Sequence, residues 1–204
     1  CTPQFIEGCN RMDLILGSSN HTKTVFEKTI YDKKDKEGNL QGTVKLETKC
    51  EVLFEGLDLE KYFHIALNDL PKTELDTIDE NFCFLFVGHW LQGDIGEDRK
   101  NVGLLIKTFL ETFKNKKSKP ALILKTMSGP ATIMDRDDML KKIENIRKDI
   151  SGTLPNIYFL HGEVEDKDMN HLYNHPKVKA MISLTKGEGF GRPLLEFTQS
   201  KKPV

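Results

Sequence analysis

An α/β fold built on a doubly wound parallel sheet is what residues 82–204 predict. Three observations carry the prediction. Short apolar runs stand at 82–87, 121–125, 157–160 and 178–184; stripes of helical period lie between them; glycine or proline marks the junctions. Such alternation calls for right-handed crossover connections that put helices on both faces of parallel strands.

The first run, 82–87, is rich in aromatics and stops at Gly88. Val102, Leu105, Ile106, Phe109, Leu110 and Phe113 then recur at helical spacing, so a helix opening near Asp98 gathers them on one face. Pro120 leads into the second strand, 121–125. Met139, Leu140, Ile143, Ile146 and Ile150 stripe a second helix that Gly152 and Pro155 end. The third strand, 157–160, is followed by a short helix over 167–174, stopped by Pro176. A fourth strand over 178–184 and a fourth helix over 193–200 complete the series.

Residues 1–65 break this rhythm. A strand over 12–16, a helix over 20–30, a hairpin through Gly38-Asn39 and a strand over 50–54 are expected there. The polar stretch 67–81, with Pro71, reads as a linker. The chain starts at Cys1 and stops at Lys202-Pro203-Val204, where a further strand would begin, so it reads as a piece of something longer.

Composition narrows the function classes. Among 204 residues, 30 Lys+Arg face 31 Asp+Glu, a net charge of −1, which excludes the basic footprint of a general nucleic-acid binder. No apolar run approaches the ~20 residues of a membrane-spanning helix, and no signal-like start is present. A soluble, cytoplasmic chain is therefore expected, with peripheral membrane contact left open. Cys1, Cys9, Cys50 and Cys83 form no CxxC pair, so neither a disulfide framework nor a zinc knuckle is implied. His171 and His175 have ligand spacing, but Pro176 breaks the helix and no third ligand follows, which disfavours a metal.

In a doubly wound sheet, ligands bind in the loops at the carboxyl ends of the strands. The most informative loop is Lys186-Gly187-Glu188-Gly189-Phe190-Gly191-Arg192-Pro193-Leu194-Leu195-Glu196, which joins the fourth strand to the fourth helix. Its glycines permit tight turns and close approach to a ligand, and Pro193 suits the first turn of a helix. Glu188 and Glu196 are suited to accept hydrogen bonds from hydroxyls, such as those of a sugar. Arg192 stands where a dinucleotide fingerprint needs glycine, and no GxxxxGK[ST] sequence exists, so neither the simple NAD site nor a P-loop is present. Trp90 fits equally well as a stacking platform or as a loop anchor.

This stretch resembles the E-x7-E signature of retaining, two-domain (GT-B) glycosyltransferases of the group-1 type, family 4: seven residues separate Glu188 from Glu196. Arg99-Lys100 is similar to the family's basic pair, and His161-Gly162-Glu163-Val164 to its loop beside the nucleotide base. The resemblance implies a Rossmann-like donor-binding half over 66–204, truncated at its end, and the tail of an acceptor-side domain over 1–65. It implies transfer of a hexose from a nucleotide-diphosphate sugar with retention, needing no cofactor and no metal. Arg99 and Lys100 would neutralise the diphosphate, and Glu188 would contact the transferred sugar with help from Gly189, Phe190 and Gly191. Glu196 would hold the ribose, Val164 would lie against the base, and Gly88, at the end of the first strand, would belong to the donor site. One departure is His89, which follows Gly88 where the family often has arginine. The acceptor, whether saccharide, lipid or protein, is not set by the resemblance. A non-catalytic nucleotide-sugar binder, a phosphorylase and an epimerase are the alternatives. A cofactor lysine is not identified for the second, and the third lacks this E-x7-E context.

Overall fold

The computed structural model describes residues 1–91, 93 and 95–204. The chain forms two compact units, Cys1–Gly56 and Leu57–Val204. The division falls ahead of the expected boundary after residue 65, because residues 57–65 fold onto a later helix of the second unit. There Asn174 donates to Phe63 O (3.0 Å) and accepts from Ile65 N (3.0 Å).

The first unit opens with α1 (Pro3–Cys9), a short helix not foreseen in the sequence, which buries Ile6 and Cys9. β1 (Ile15–Gly17) leads to α2 (Asn20–Lys28), whose first turn is capped by Ser19 Oγ accepting from Thr22 N at 3.1 Å. β2 (Ile30–Lys34) and β3 (Leu40–Lys45) form the expected antiparallel hairpin. Its turn is tied by Asp35, which accepts from the amides of Glu37 and Asn39, both at 2.9 Å. β4 (Cys50–Val52) pairs in parallel with β1.

The second unit begins with 3-10 turns at Leu67–Asp69 and Glu74–Thr77. There follow β5 (Cys83–Val87), α3 (Val102–Phe113), β6 (Ala121–Lys125), α4 (Ile133–Lys148), β7 (Ile157–Leu160), α5 (Asp166–Asn174), β8 (Val178–Met181) and α6 (Arg192–Thr198). The four strands are parallel, in the order β7-β6-β5-β8. This is the α/β, doubly wound architecture the apolar runs predict.

Alternation along each strand builds two cores, one per face. Phe86, Leu122 and Leu124 pack with Leu105, Ile106 and Phe109 of α3 and with Met139 and Ile143 of α4. Leu85 and Ile123 pack on the other face with Met169, Leu172 and Tyr173 of α5 and with Phe197 of α6. The central strand β6 is buried at every residue, which is why it reads as apolar sequence from Ala121 to Leu124, before Lys125 at its end. No helix is long and apolar enough to cross a membrane, among the described residues.

Candidate functional site

The order β7-β6-β5-β8 reverses direction between β5 and β8. The helix after β5 packs on one face and the helix after β8 on the other. A crevice opens at such a switch point, between the two outgoing loops. Here those loops follow Val87 and Met181 and lead to Val102 and Arg192, and their described residues include most of those singled out above.

The loops are stitched together. Lys186 N donates to Arg99 O at 2.9 Å, Asn101 Nδ2 to Leu184 O at 2.8 Å, and Arg99 to Gly187 O at 2.6 Å. Residues 98–101 form a turn rather than the opening of α3. Asn101 takes left-handed angles (φ 53°), and Asp98, buried before it, accepts from Val102 N at 3.2 Å. Within this frame the Lys100 ammonium donates to Glu188 Oε1, and Arg99 lies 3.5 Å from Glu188 Oε2. Lys100 is only 8% exposed, so its ion pair with Glu188 is largely withdrawn from water. Gly88 makes room for it: a side chain at position 88 would meet the Phe86 ring at 3.1 Å and the Lys100 stem at 3.7 Å.

Gly191 caps α6 with φ 84°, a left-handed angle that a β-carbon resists. The amides of Leu194 and Leu195 both bond to Gly191 O, so they are committed to starting the helix. Gly191→Ala is expected to cost about 1–2 kcal/mol in urea denaturation; an unchanged midpoint would show that the turn relaxes.

Glu196, in α6, is 7% exposed, and Tyr173 of α5 donates to its Oε2 at 3.1 Å. Burial pushes this carboxyl above the usual range, while the Tyr173 bond and the Arg192 charge partly oppose it. The Tyr173 ring is itself buried edge-on against Phe197 at 5.7 Å.

Beyond β7, Val164 stands 40% exposed after a turn at Gly162 (φ 99°). That turn is fastened by a side-chain array: Ser128 donates to Asp135 Oδ1, and His161 Nε2 meets Asp135 Oδ2 at 2.7 Å. Burial alone would raise the Asp135 carboxyl, but the bonds from Ser128 and His161 outweigh it and hold the group below its ordinary value. A depressed carboxylate contributes stability above its unfolded value and loses it as pH falls through its folded one. Asp135→Asn is therefore expected to cost about 1–3 kcal/mol at pH 7, with the gap to the parent closing in strong acid. Urea denaturation at both pH values checks this, and an equal gap would contradict it.

The structure thus brings Arg99, Lys100, Glu188 and Gly88 together where the outgoing loops of β5 and β8 meet, with Gly189, Phe190 and Gly191 leading from Glu188 into α6. Glu196, in α6, and Val164, beyond β7, stand on adjoining elements. Trp90 is an anchor, buried on the α3–α4 side with Lys142 5.3 Å above its ring. His171 and His175 face different carboxylates, Asp168 and Asp76. No group of three or more His, Cys, Asp or Glu placed to hold a metal occurs among the described residues. A pocket of about 570 Å³ lies at the opposite, amino-terminal end of the sheet, lined by Phe82, Phe84 and Phe113. Tyr173, Asp135 and Ser128 were not singled out by sequence, because nothing in the local pattern tells which side chains meet across elements.

No protein-family model and no curated protein matches the chain. Solved structures do. The C-terminal domain of the glycosyl transferase group 1 family protein LpcC from Francisella tularensis aligns with 72% of this chain and 68% of its own, at 17% identity and TM-score 0.51. The E. coli trehalose-6-phosphate structure bound with UDP-2-fluoro glucose aligns with 97% of this chain at 14% identity and TM-score 0.58. The apo structure of OtsA does so at 14% identity and TM-score 0.57. This chain spans 45% of the length of each of the latter two. At these identities the likeness is one of fold: a parallel α/β domain of the kind found in GT-B glycosyltransferases.

Proposed function

We propose that this chain carries the donor-binding half of a retaining glycosyltransferase, which moves a hexose from a nucleoside-diphosphate sugar to an acceptor hydroxyl. The observation that supports it best is the pairing of Lys100 and Arg99 with Glu188 across the switch-point crevice.

Breaking the bond between the anomeric carbon and the phosphate oxygen leaves negative charge on the diphosphate. Lys100 and Arg99 are the fixed cations that stabilise this charge as it develops, without a metal ion. As the diphosphate comes to share their charge, Glu188 is left free to accept hydrogen bonds from the sugar and to stabilise the positive character of its anomeric carbon. Glu196 accepts from the ribose hydroxyls, and exposed Val164 offers the base an apolar wall. In the retaining route, a leaving-group oxygen takes the acceptor's proton while the acceptor oxygen bonds to the same face of the sugar. The acceptor follows from neither the crevice nor the fold.

Calorimetric titration with UDP, GDP and ADP, and then with their sugar conjugates, tests the reading. One nucleotide class should bind, and Glu196→Ala should weaken it by about 1–3 kcal/mol, the worth of a hydrogen bond to a charged group. A folded chain that binds none of the three would overturn the proposal. Binding without release of the sugar to any acceptor would leave a nucleotide-sugar binder in its place.

A further inference from the structure

Lys125, the last residue of β6, is 9% exposed and has no part in the mechanism above. It continues the face of β6 on which Ala121 and Ile123 pack with Tyr173 and Phe197, which is also the face that carries α6 and Glu196. Among the described residues its ammonium donates to Gly162 O, in the turn after β7. No carboxylate pairs with it among the described residues; Glu163 acts on it only through space. Burial holds its amine below the ordinary lysine value. Thr126, next in the chain, is 1% exposed with a hydroxyl that has no partner among the described residues. The carboxyl end of β6 therefore holds polar groups whose bonding capacity the described residues leave partly unused.

A buried ammonium with two unused donors is costly unless a ligand meets it. A lysine has three donors and no acceptor, so what meets it must accept. Strands lie about 4.8 Å apart, and β7 is two strands from β5. The Gly162 turn thus stands about 10 Å from the Gly88–Lys100 end of the crevice, a separation that ribose and base can bridge. Resting on the nucleotide-sugar reading, we infer that Lys125 is a specificity-determining residue that selects a keto-bearing base, uracil or guanine, over adenine. Uracil O4 and guanine O6 are acceptors, whereas adenine presents the N6 amino group, a donor, at the same edge. Donor against donor leaves both unsatisfied.

Dissociation constants of UDP, GDP and ADP for the parent chain, Lys125→Met and Lys125→Gln test this inference. The parent should bind UDP or GDP at least about tenfold more tightly than ADP. Lys125→Met should bring that ratio close to one by weakening the keto nucleotide, with a melting temperature that holds or rises as an uncompensated buried charge is removed. Lys125→Gln, which offers an acceptor as well as donors, should improve ADP binding. A parent that binds ADP as well as the others, or a ratio that survives both substitutions, overturns the inference and leaves the nucleotide-sugar reading standing. Failure of both variants to fold also overturns it, because the lysine then serves only to hold Gly162. A parent that binds no nucleotide removes the reading itself.

Discussion

Replacing Lys100 by methionine is expected to weaken nucleoside-diphosphate binding by about 10- to 100-fold, the equivalent of about 1.5–3 kcal/mol for a lost charged hydrogen bond. Methionine keeps the stem that passes Gly88 and removes only the charge. The loss has two sources that can be separated. Glu188 is left with Arg99 alone, at 3.5 Å and mostly in solvent, which lowers the stability of the free chain. The diphosphate also loses its least hydrated cation. Adding Glu188→Gln to Lys100→Met removes the orphaned carboxylate, so stability should return while binding should not. Calorimetry and urea denaturation on the four chains of this cycle decide the matter. If binding returns together with stability, Lys100 is a structural partner of Glu188 and has no direct role toward the ligand.

Tyr173→Ala is expected to cost about 3–5 kcal/mol, as for other large aromatic residues deleted from a core. Its ring is buried between Phe197 and Tyr62, whose ring centroid lies 6.0 Å away. Tyr173→Phe isolates the hydroxyl. It keeps the ring and removes the bond to Glu196, so the Glu196 carboxyl should rise further above its ordinary value. Above that ordinary value the native chain retains a proton that the unfolded chain has released. Stability from this group is therefore greatest at low pH and falls as pH rises through the native value. In Tyr173→Phe the fall should extend to higher pH. If the ionised carboxylate holds the ribose, nucleotide affinity in this variant should also need a higher pH to develop. Titrations of affinity against pH for parent and variant check this, and superimposable profiles would show that Glu196 is not the titrating group.

The strands of the second unit were legible because each is a short, mainly apolar run between glycine or proline junctions, and β6, at the centre, is buried throughout. Residues 121–125 and 157–160 coincide with β6 and β7. Ends governed by single side chains were less legible. The expected start of α3 near Asp98 is a turn, since Asp98 caps the helix from four residues upstream and Asn101 adopts angles that a helix does not. The expected fourth strand ends at Met181 rather than 184, where its bonding to β5 stops with Ile182 N on Leu85 O. The α1 helix passed unnoticed because two buried side chains in seven residues make no period. In the crevice, Glu188, Arg99 and Lys100 stood out through their loop context. Tyr173, Asp135 and the Lys125–Gly162 link did not, because each depends on which elements become neighbours.

The Lys100–Glu188 pair spans 88 residues of sequence, and this separation has a consequence during synthesis. At about 5–20 residues per second, a ribosome needs roughly 4–18 s to reach the carboxylate after it has made the cations. Through that interval β5, β6 and β7 can assemble, but β8 has yet to dock beside β5. The apolar strand Cys83–Val87 then forms an open sheet edge, of the kind that recruits strands from other chains. Arrival of β8 closes that edge and brings Glu188 to Lys100 in the same event. A nascent chain stalled before residue 178 should therefore be both the form most prone to aggregate and the form best recognised by chaperones that bind exposed apolar strands.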